Sequence, residues 1–428
     1  MKTTIAFFRR GAAALCALLF LAAAFCLRIN ASAADGAAPD TAGDSAASLV
    51  SDRDASGEYD ASAAVTLAPG DDLTISEAGI YILSGSYENQ MLTVQAGDED
   101  KVQIVLNNAQ IANADGPAIL VRSADKVFLT AAAGSENSIS DGSGYTLNEG
   151  DTAVDAAVFS KADLTVNGSG SLSIAGNTKH AVVSKDDLVV TAKNLIVSSA
   201  ASALTGKDAV TLLDASVSIQ AGTDGIHSEG TVTVLGGSLT AQCGDDAVHA
   251  DGKADIAGGT VTLNAAEGIE ATYVLIRSGD ISIQASDDGI NAAYKSDAYT
   301  PTVEITGGNL TVTMGAGDTD GIDSNGNLII SGGTVSVTAG SAFDFDGSVS
   351  FTGGTVYVNG QQVTELSSQF MGGRGGMGGM GGQGGHGSFG TPPDMSGDIP
   401  AGFGGQPPSG FHGPHGGQGG PGSFGEAS

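Results

Sequence analysis

A short acidic phrase returns in register along the middle of the chain and limits what the chain can fold into. It reads Thr223-Asp224-Gly225-Ile226-His227-Ser228, then Asp245-Asp246-Ala247-Val248-His249-Ala250, then Ala266-Glu267-Gly268-Ile269-Glu270-Ala271. It continues as Asp287-Asp288-Gly289-Ile290-Asn291-Ala292 and Thr319-Asp320-Gly321-Ile322-Asp323-Ser324. From Asp224 the steps to Asp246, Glu267, Asp288 and Asp320 are 22, 21, 21 and 32 residues, the long step carrying an insertion around residues 294–301. A fixed period of this size makes each repeat one layer of a solenoid. The acidic residues then form a column along its axis.

A second phrase accompanies the first: a Gly-Gly turn followed by alternating apolar residues, as in Gly236-Gly237-Ser238-Leu239, Gly258-Gly259-Thr260-Val261 and Gly332-Gly333-Thr334-Val335. Between the two phrases lies another alternating run, such as Thr231-Val232-Thr233-Val234. One period thus holds three short strands separated by turns, which predicts an all-β chain folded as a parallel β-helix of 21–22 residues per coil. Antiparallel hairpins would reverse the order of features in alternate units, and a calcium-binding nonapeptide roll would repeat every nine residues. Aligning the apolar position of each acidic phrase predicts an inward ladder of Val182, Leu204, Ile226, Val248, Ile269, Ile290, Ile322 and Phe343, with Val158 and Ile119 continuing it upstream.

Outside the repeats the composition changes. Residues 1–33 carry a basic end (Lys2, Arg9, Arg10), an apolar run and the small-x-small site Ala31-Ser32-Ala33, the pattern of a secretory signal peptide. Residues 34–64, rich in Ala, Ser and Asp, are expected to be a flexible leader, with order beginning near Val65. Residues 65–365 form the repeat domain. Residues 366–428, Gly-rich from Met371 onward, cannot build a core and are expected to be a disordered tail, a candidate for attachment to the cell envelope. Removing the signal leaves Cys243 as the only cysteine, which excludes an internal disulfide. It also leaves 13 basic residues against 48 acidic ones, a net charge of −35. Such a surface repels nucleic acid and anionic lipid and attracts cations. The mature chain is expected to be a secreted or surface-associated monomer without a membrane span.

Adjacent coils of a β-helix lie ~4.8 Å apart. Carboxylates stacked at that spacing repel unless something neutralises them, and two of them can share one Ca²⁺. The first column is Asp246, Glu267, Asp288 and Asp320, with Asp245 and Asp287 beside it. The next outward residue of each phrase supplies a second column, His227, His249, Glu270, Asn291, Asp323 and Asp344. The expected calcium ligands are therefore Asp245, Asp246, Glu267, Glu270, Asp287, Asp288, Asn291, Asp320, Asp323 and Asp344. The glycine after each acid is expected to make a tight turn. An Asp-Gly pair also caps ordinary turns, so the rival reading is a solvent-facing set of Asp caps. His227 and His249, one coil apart, form either a transition-metal pair or a plain ladder.

Several stretches carry a family resemblance: Asp115-Gly116-Pro117-Ala118-Ile119, Phe159-Ser160-Lys161-Ala162-Asp163-Leu164, His180-Ala181-Val182-Val183-Ser184-Lys185-Asp186-Asp187-Leu188 and Phe343-Asp344-Phe345-Asp346-Gly347, together with the phrases at Asp288 and Asp320. In order and over roughly residues 65–365, they resemble bacterial secreted carbohydrate-binding proteins with a right-handed parallel β-helix, pectate-lyase-like in fold, of the clostridial cellulose- and acid-sugar-binding type. The resemblance implies a right-handed helix, Ca²⁺ in the acidic turns and polysaccharide binding without catalysis. Ser202-Ala203-Leu204 departs from the acidic pattern, and the absence of Trp removes the usual flat platform for crystalline cellulose.

Three functions follow. A binding module would hold plant-type or acidic polysaccharide through Tyr273, Tyr294, Lys295 and Tyr299, in or beside the insertion, with calcium bridging to uronate carboxylates. A calcium-dependent polysaccharide lyase needs a base near the sugar, and Arg277 and Lys295 are the only basic residues from 267 to 301. A structural or adhesive rod needs neither. The binding module is the favoured reading, with no catalytic residues assigned.

Overall fold

The computed structural model describes residues 50–70, 73–146, 151, 153–316 and 319–368. The signal segment, residues 34–49 of the leader and the tail from 369 onward lie outside the described residues. The strands stack in parallel as a β-solenoid of about 12 turns. Among the described residues no helix is long and apolar enough to cross a membrane.

Each coil has three faces, and each face is a parallel ladder between equivalent residues of successive coils. On the acidic face the register runs Val182, Leu204, Ile226, Val248, Ile269, Ile290, Ile322, Phe343, with Val158 and Ile119 upstream as expected. On the second face Val232, Ala254, Val274, Val303 and Leu328 are in register. On the third, Leu239, Val261, Ile281, Leu310, Val335 and Val356 are in register. All of these side chains are buried and belong to one continuous core. Period-two alternation explains it: in Asp280–Ala285 every second residue points inward and the others face solvent. The strands are not always three separate pieces. Thr231–Cys243, Asp246–Ala265 and Glu267–Ile276 run through corners, with register shifts where the chain bends. At the C-terminal end Gln361–Val363 folds back antiparallel on Thr355–Val358.

The two glycine phrases serve different physical purposes. In the Gly-Gly turns the second glycine is left-handed, φ +80° at Gly237 and +77° at Gly333, a conformation costly for any residue with a Cβ. The glycine of the acidic phrase is not the tight turn expected of it. Gly225, Gly268, Gly289 and Gly321 are not among the positive-φ residues. They are buried, and a Cβ would collide both with the third strand of the same coil and with the next coil: 2.3 Å from Ile283 and 2.4 Å from the Gly289 carbonyl oxygen at Gly268, and 2.2 Å from Val337 at Gly321. Close packing selects small residues there, which is why Ala247 can stand in the same column.

The start of order also differs from the expectation. Asp52–Ser56 is a short helix capped by Ser51, docked on the outside of the second face. Asp54 is buried there, paired with Lys126 at 2.9 Å and accepting a hydrogen bond from Thr165. Asn167 and Thr191 donate to its backbone carbonyl at 3.1 and 2.6 Å. A polar composition hid this docking, because it depends on hydrogen bonds to coils more than 100 residues away.

Candidate functional site

The acidic face carries two columns of side chains that point away from the core. Its ladder places Asp246 beside Glu267, and His249, Glu270, Asn291, Asp323 and Asp344 in successive register. Asp245 and Asp287 are exposed on the turn, one residue ahead of the column.

Charge balance divides this face. At the rung of His249 the protein supplies its own cations. His249 Nδ1 lies 2.7 Å from Asp246 and 2.9 Å from Glu270, its Nε2 lies 3.2 Å from Asp251, and Lys295 Nζ lies 2.7 Å from the second oxygen of Glu270. Burial opposes the charge on the imidazole, but the hydrogen bonds and charges of Asp246 and Glu270 outweigh it and push His249 up to about 10. Burial likewise opposes the Glu270 carboxylate, yet His249 and Lys295 hold it down to about 2. Asp246, His249 and Glu270 have ligand atoms within 4.8 Å of one another, a spacing that suits a metal as well as an ion pair. His227 stacks on His249 with centroids 4.7 Å apart and planes 8° from parallel, and gives Nδ1 to Asp224 at 3.1 Å. The two histidines thus form a ladder in which each is tied to its own aspartate.

Further along, that compensation ends. Burial with the charges of Glu270, Asp246 and Asp288 pushes Glu267 up to about 8. Burial with the charges of Asp287, Asp320 and Glu270 pushes Asp288 up to about 6. Burial with the charges of Asp288, Asp320 and Asp344 pushes Asp323 up to about 7. Asn291 sits among them. Its Nδ2 donates to Glu267 at 3.1 Å, while its Oδ1 is buried without a hydrogen-bond partner. A buried acceptor left unpaired costs free energy, and here it stands in register between Glu270 and Asp323, near carboxylates with no ion-pair partner among the described residues. An oxygen-only set of this kind suits a hard cation such as Ca²⁺, so the residues present fit the ion. Asp344 accepts from Ser368 at 2.6 Å.

The insertion lies beside these rungs. Thr272 Oγ1 anchors it by accepting from the backbone of Lys295 and Ser296. Tyr294 is 72% exposed and Tyr299 39%. Tyr273 stands on the second face, its hydroxyl donating to Glu304 and its ring tilted against Tyr299 at 5.7 Å. Of the four residues expected to meet sugar, then, Tyr294 is the freely presented one, Tyr273 is committed to a protein partner, and Lys295 is committed to Glu270.

Sequence reasoning missed a set of cations upstream on the same face. Lys161, Lys185 and Lys207 occupy the same corner of three successive coils, where their backbone amides donate to Val121, Ser160 and Ser184. The signal was present as Ser160-Lys161, Ser184-Lys185 and Gly206-Lys207 at the coil period, but the acidic phrase drew the alignment.

Comparison with known proteins gives the family. A relative from Acetivibrio thermocellus, described as a carbohydrate-binding domain-containing protein, is 28% identical over 129 residues, 30% of this chain and 45% of that protein, so the chain spans less than half of its relative's length. A solved structure of a polysaccharide lyase-like protein from C. thermocellum, a gadolinium derivative, aligns at TM-score 0.33 with 21% identity, over 70% of this chain and 94% of that one. The family model for carbohydrate-binding domain-containing proteins matches residues 69–316 and 266–363, nearly the whole solenoid. The chain belongs to the carbohydrate-binding domain-containing protein family.

Proposed function

We propose that this is an exported, calcium-dependent binding protein that holds acidic or plant-type polysaccharide, of the cellulose or polygalacturonate kind, along the acidic face without cleaving it. The observation that carries the calcium assignment is the unpaired, buried Asn291 Oδ1 among carboxylates whose proton affinity is raised. The calcium ligands narrow to Glu267, Asp288, Asn291, Asp320, Asp323 and Asp344, because His249 and Lys295 already pair with Asp246 and Glu270, and Asp245 and Asp287 stand exposed on the turn. Bound there, the ion would offset the carboxylates and leave coordination positions for a uronate. Tyr294 would pack on a sugar ring beside it. Family membership supports the carbohydrate, and the basic, apolar and small-residue pattern of residues 1–33 supports export.

The non-catalytic reading rests on the bases near the acidic rungs. Lys295 is held by Glu270 at 2.7 Å and Arg277 by Asp255 at 2.9 Å, so neither is free to take a proton from a sugar. The test is a glycan-binding screen of the chain after removal of residues 1–33, with calcium and with chelator. Saturable binding of polygalacturonate in calcium, without unsaturated products, supports the proposal. Unsaturated products would make the protein a lyase, and silence toward all glycans would favour a structural rod.

A further inference from the structure

The acidic face begins, before its carboxylates, with a groove of the opposite character. It has a volume of about 210 Å³. Lys179, Lys185 and Lys207 edge it, with His180, Thr205 and His227 along its floor. Asp155 and Glu229 also line it, so the charges do not all have one sign. Lys179 pairs with Asp155 at 2.7 Å and Lys207 with Asp208 at 3.5 Å, both substantially exposed. Lys185 stands over the Phe159 ring, 5.6 Å from its centroid, and has no carboxylate partner among the ion pairs of the described residues.

Two features make this more than a solvated basic edge. Lys185 and Lys207 of the groove follow one another on successive coils, a spacing of ~4.8 Å, with Lys161 one coil upstream and outside it. Like charges at that distance repel unless an anion lies between or above them. In addition, four buried side-chain polar atoms of the described residues lack a hydrogen-bond partner, and two of them belong to groove residues: His180 Nδ1 and Thr205 Oγ1. In a chain whose mature net charge is −35, a groove that gathers three lysines and two such atoms has the chemistry of an anion receptor.

We propose that this groove is a second saccharide subsite, one that binds the carboxylate of a uronic acid residue directly and without metal. Lys185 and Lys207 supply the charge that meets the carboxylate, with Thr205 and His180 packed beneath them. The subsite rests on the carbohydrate-binding reading and deepens it. The groove and the calcium rungs share one face and lie along one axis, so a polyuronate laid along the solenoid meets lysines at one end and calcium at the other. A neutral glucan gains nothing from the groove's charge.

The test uses the whole chain after removal of residues 1–33, with tri-galacturonate as the probe, titrated calorimetrically in EDTA so that the calcium rungs are silent. Wild type is expected to bind, and Lys185→Gln with Lys207→Gln to weaken binding about tenfold or more, as befits loss of charge-assisted hydrogen bonds. Methyl-esterified trimer, which lacks the charge, should bind wild type at least tenfold more weakly and be indifferent to the two substitutions. Both lysines are exposed, so the melting temperature and its rise with calcium should stay as in wild type. The subsite is overturned if wild type does not bind the trimer in EDTA, or if the double variant binds it as well as wild type does. Either result leaves calcium-dependent binding standing, whereas failure to bind any glycan in calcium or in EDTA would remove the carbohydrate reading itself.

Discussion

His249 Nδ1 lies 2.9 Å from Oε2 of Glu270, its neighbour on the next coil of the acidic face. This contact marks a boundary. Up to Glu270, imidazole and ammonium groups of the protein meet the carboxylates. Beyond it, no lysine, arginine or histidine of the described residues is ion-paired with Asp288 or Asp323, and Glu267, on the same coil as Glu270, has no such pair either.

His249→Gln should be one of the more damaging single changes on this face. The side chains of His249, Asp246 and Glu270 are 13%, 7% and 8% exposed, and breaking a buried pair costs about 3–5 kcal/mol. The imidazole's contribution is fully present below its unfolded value of 6.5 and is lost as pH rises through about 10. That of Glu270 is present above its unfolded 4.5 and is lost as pH falls through about 2. The wild-type and variant stabilities, measured by urea unfolding, should therefore differ most between about pH 4.5 and 6.5 and converge toward either extreme.

In chelator the protein should lose stability as pH rises from about 5 to 8. Glu267, Asp288 and Asp323 hold protons in the folded state up to about 8, 6 and 7, above their unfolded values of 4.5, 3.8 and 3.8. The folded state thus binds more protons than the unfolded state through this range, and stability falls with pH. Calcium competes with those protons, so its rise in melting temperature should be larger at pH 8 than at pH 5. A calcium effect equal at both pH values would show that these carboxylates are not the ligands.

Asp288→Asn with Asp323→Asn should have opposite effects with and without metal. In EDTA at pH 8 the change removes like-charge repulsion and should raise the melting temperature by about 2–4 °C per kcal/mol relieved. In calcium it should abolish most of the stabilisation that wild type gains. A double variant that is less stable in EDTA would mean the aspartates are turn caps and not a cation site.

Tyr294→Ala should reduce affinity for cello-oligosaccharide about three- to tenfold, the worth of one ring packed on a sugar. The ring is 72% exposed, so the melting temperature should not move. Tyr273→Phe should show the reverse, a small stability loss with little change in affinity, because its hydroxyl serves Glu304. Equal affinity of the Tyr294 variant and wild type would move the sugar platform elsewhere on the face.

The sequence by itself determined the parallel solenoid, the register of its core and the residues that share a column. A coil period and a two-residue alternation are one-dimensional patterns, and stacking copies of one unit converts them directly into neighbours. The ladder from Ile119 to Phe343 was legible for that reason. Tertiary structure alone decided which columns stay charged. Lys295 reaches Glu270 from an insertion 25 residues downstream, and Asp54 docks on coils more than 100 residues ahead of it. It also decided the purpose of the acidic-phrase glycines, since contact with Ile283 or Val337 across the core is not a local property of the phrase. Charge compensation and close approach depend on distances in three dimensions. A repeat fixes those distances along the axis, but not across the turns and insertions that leave it.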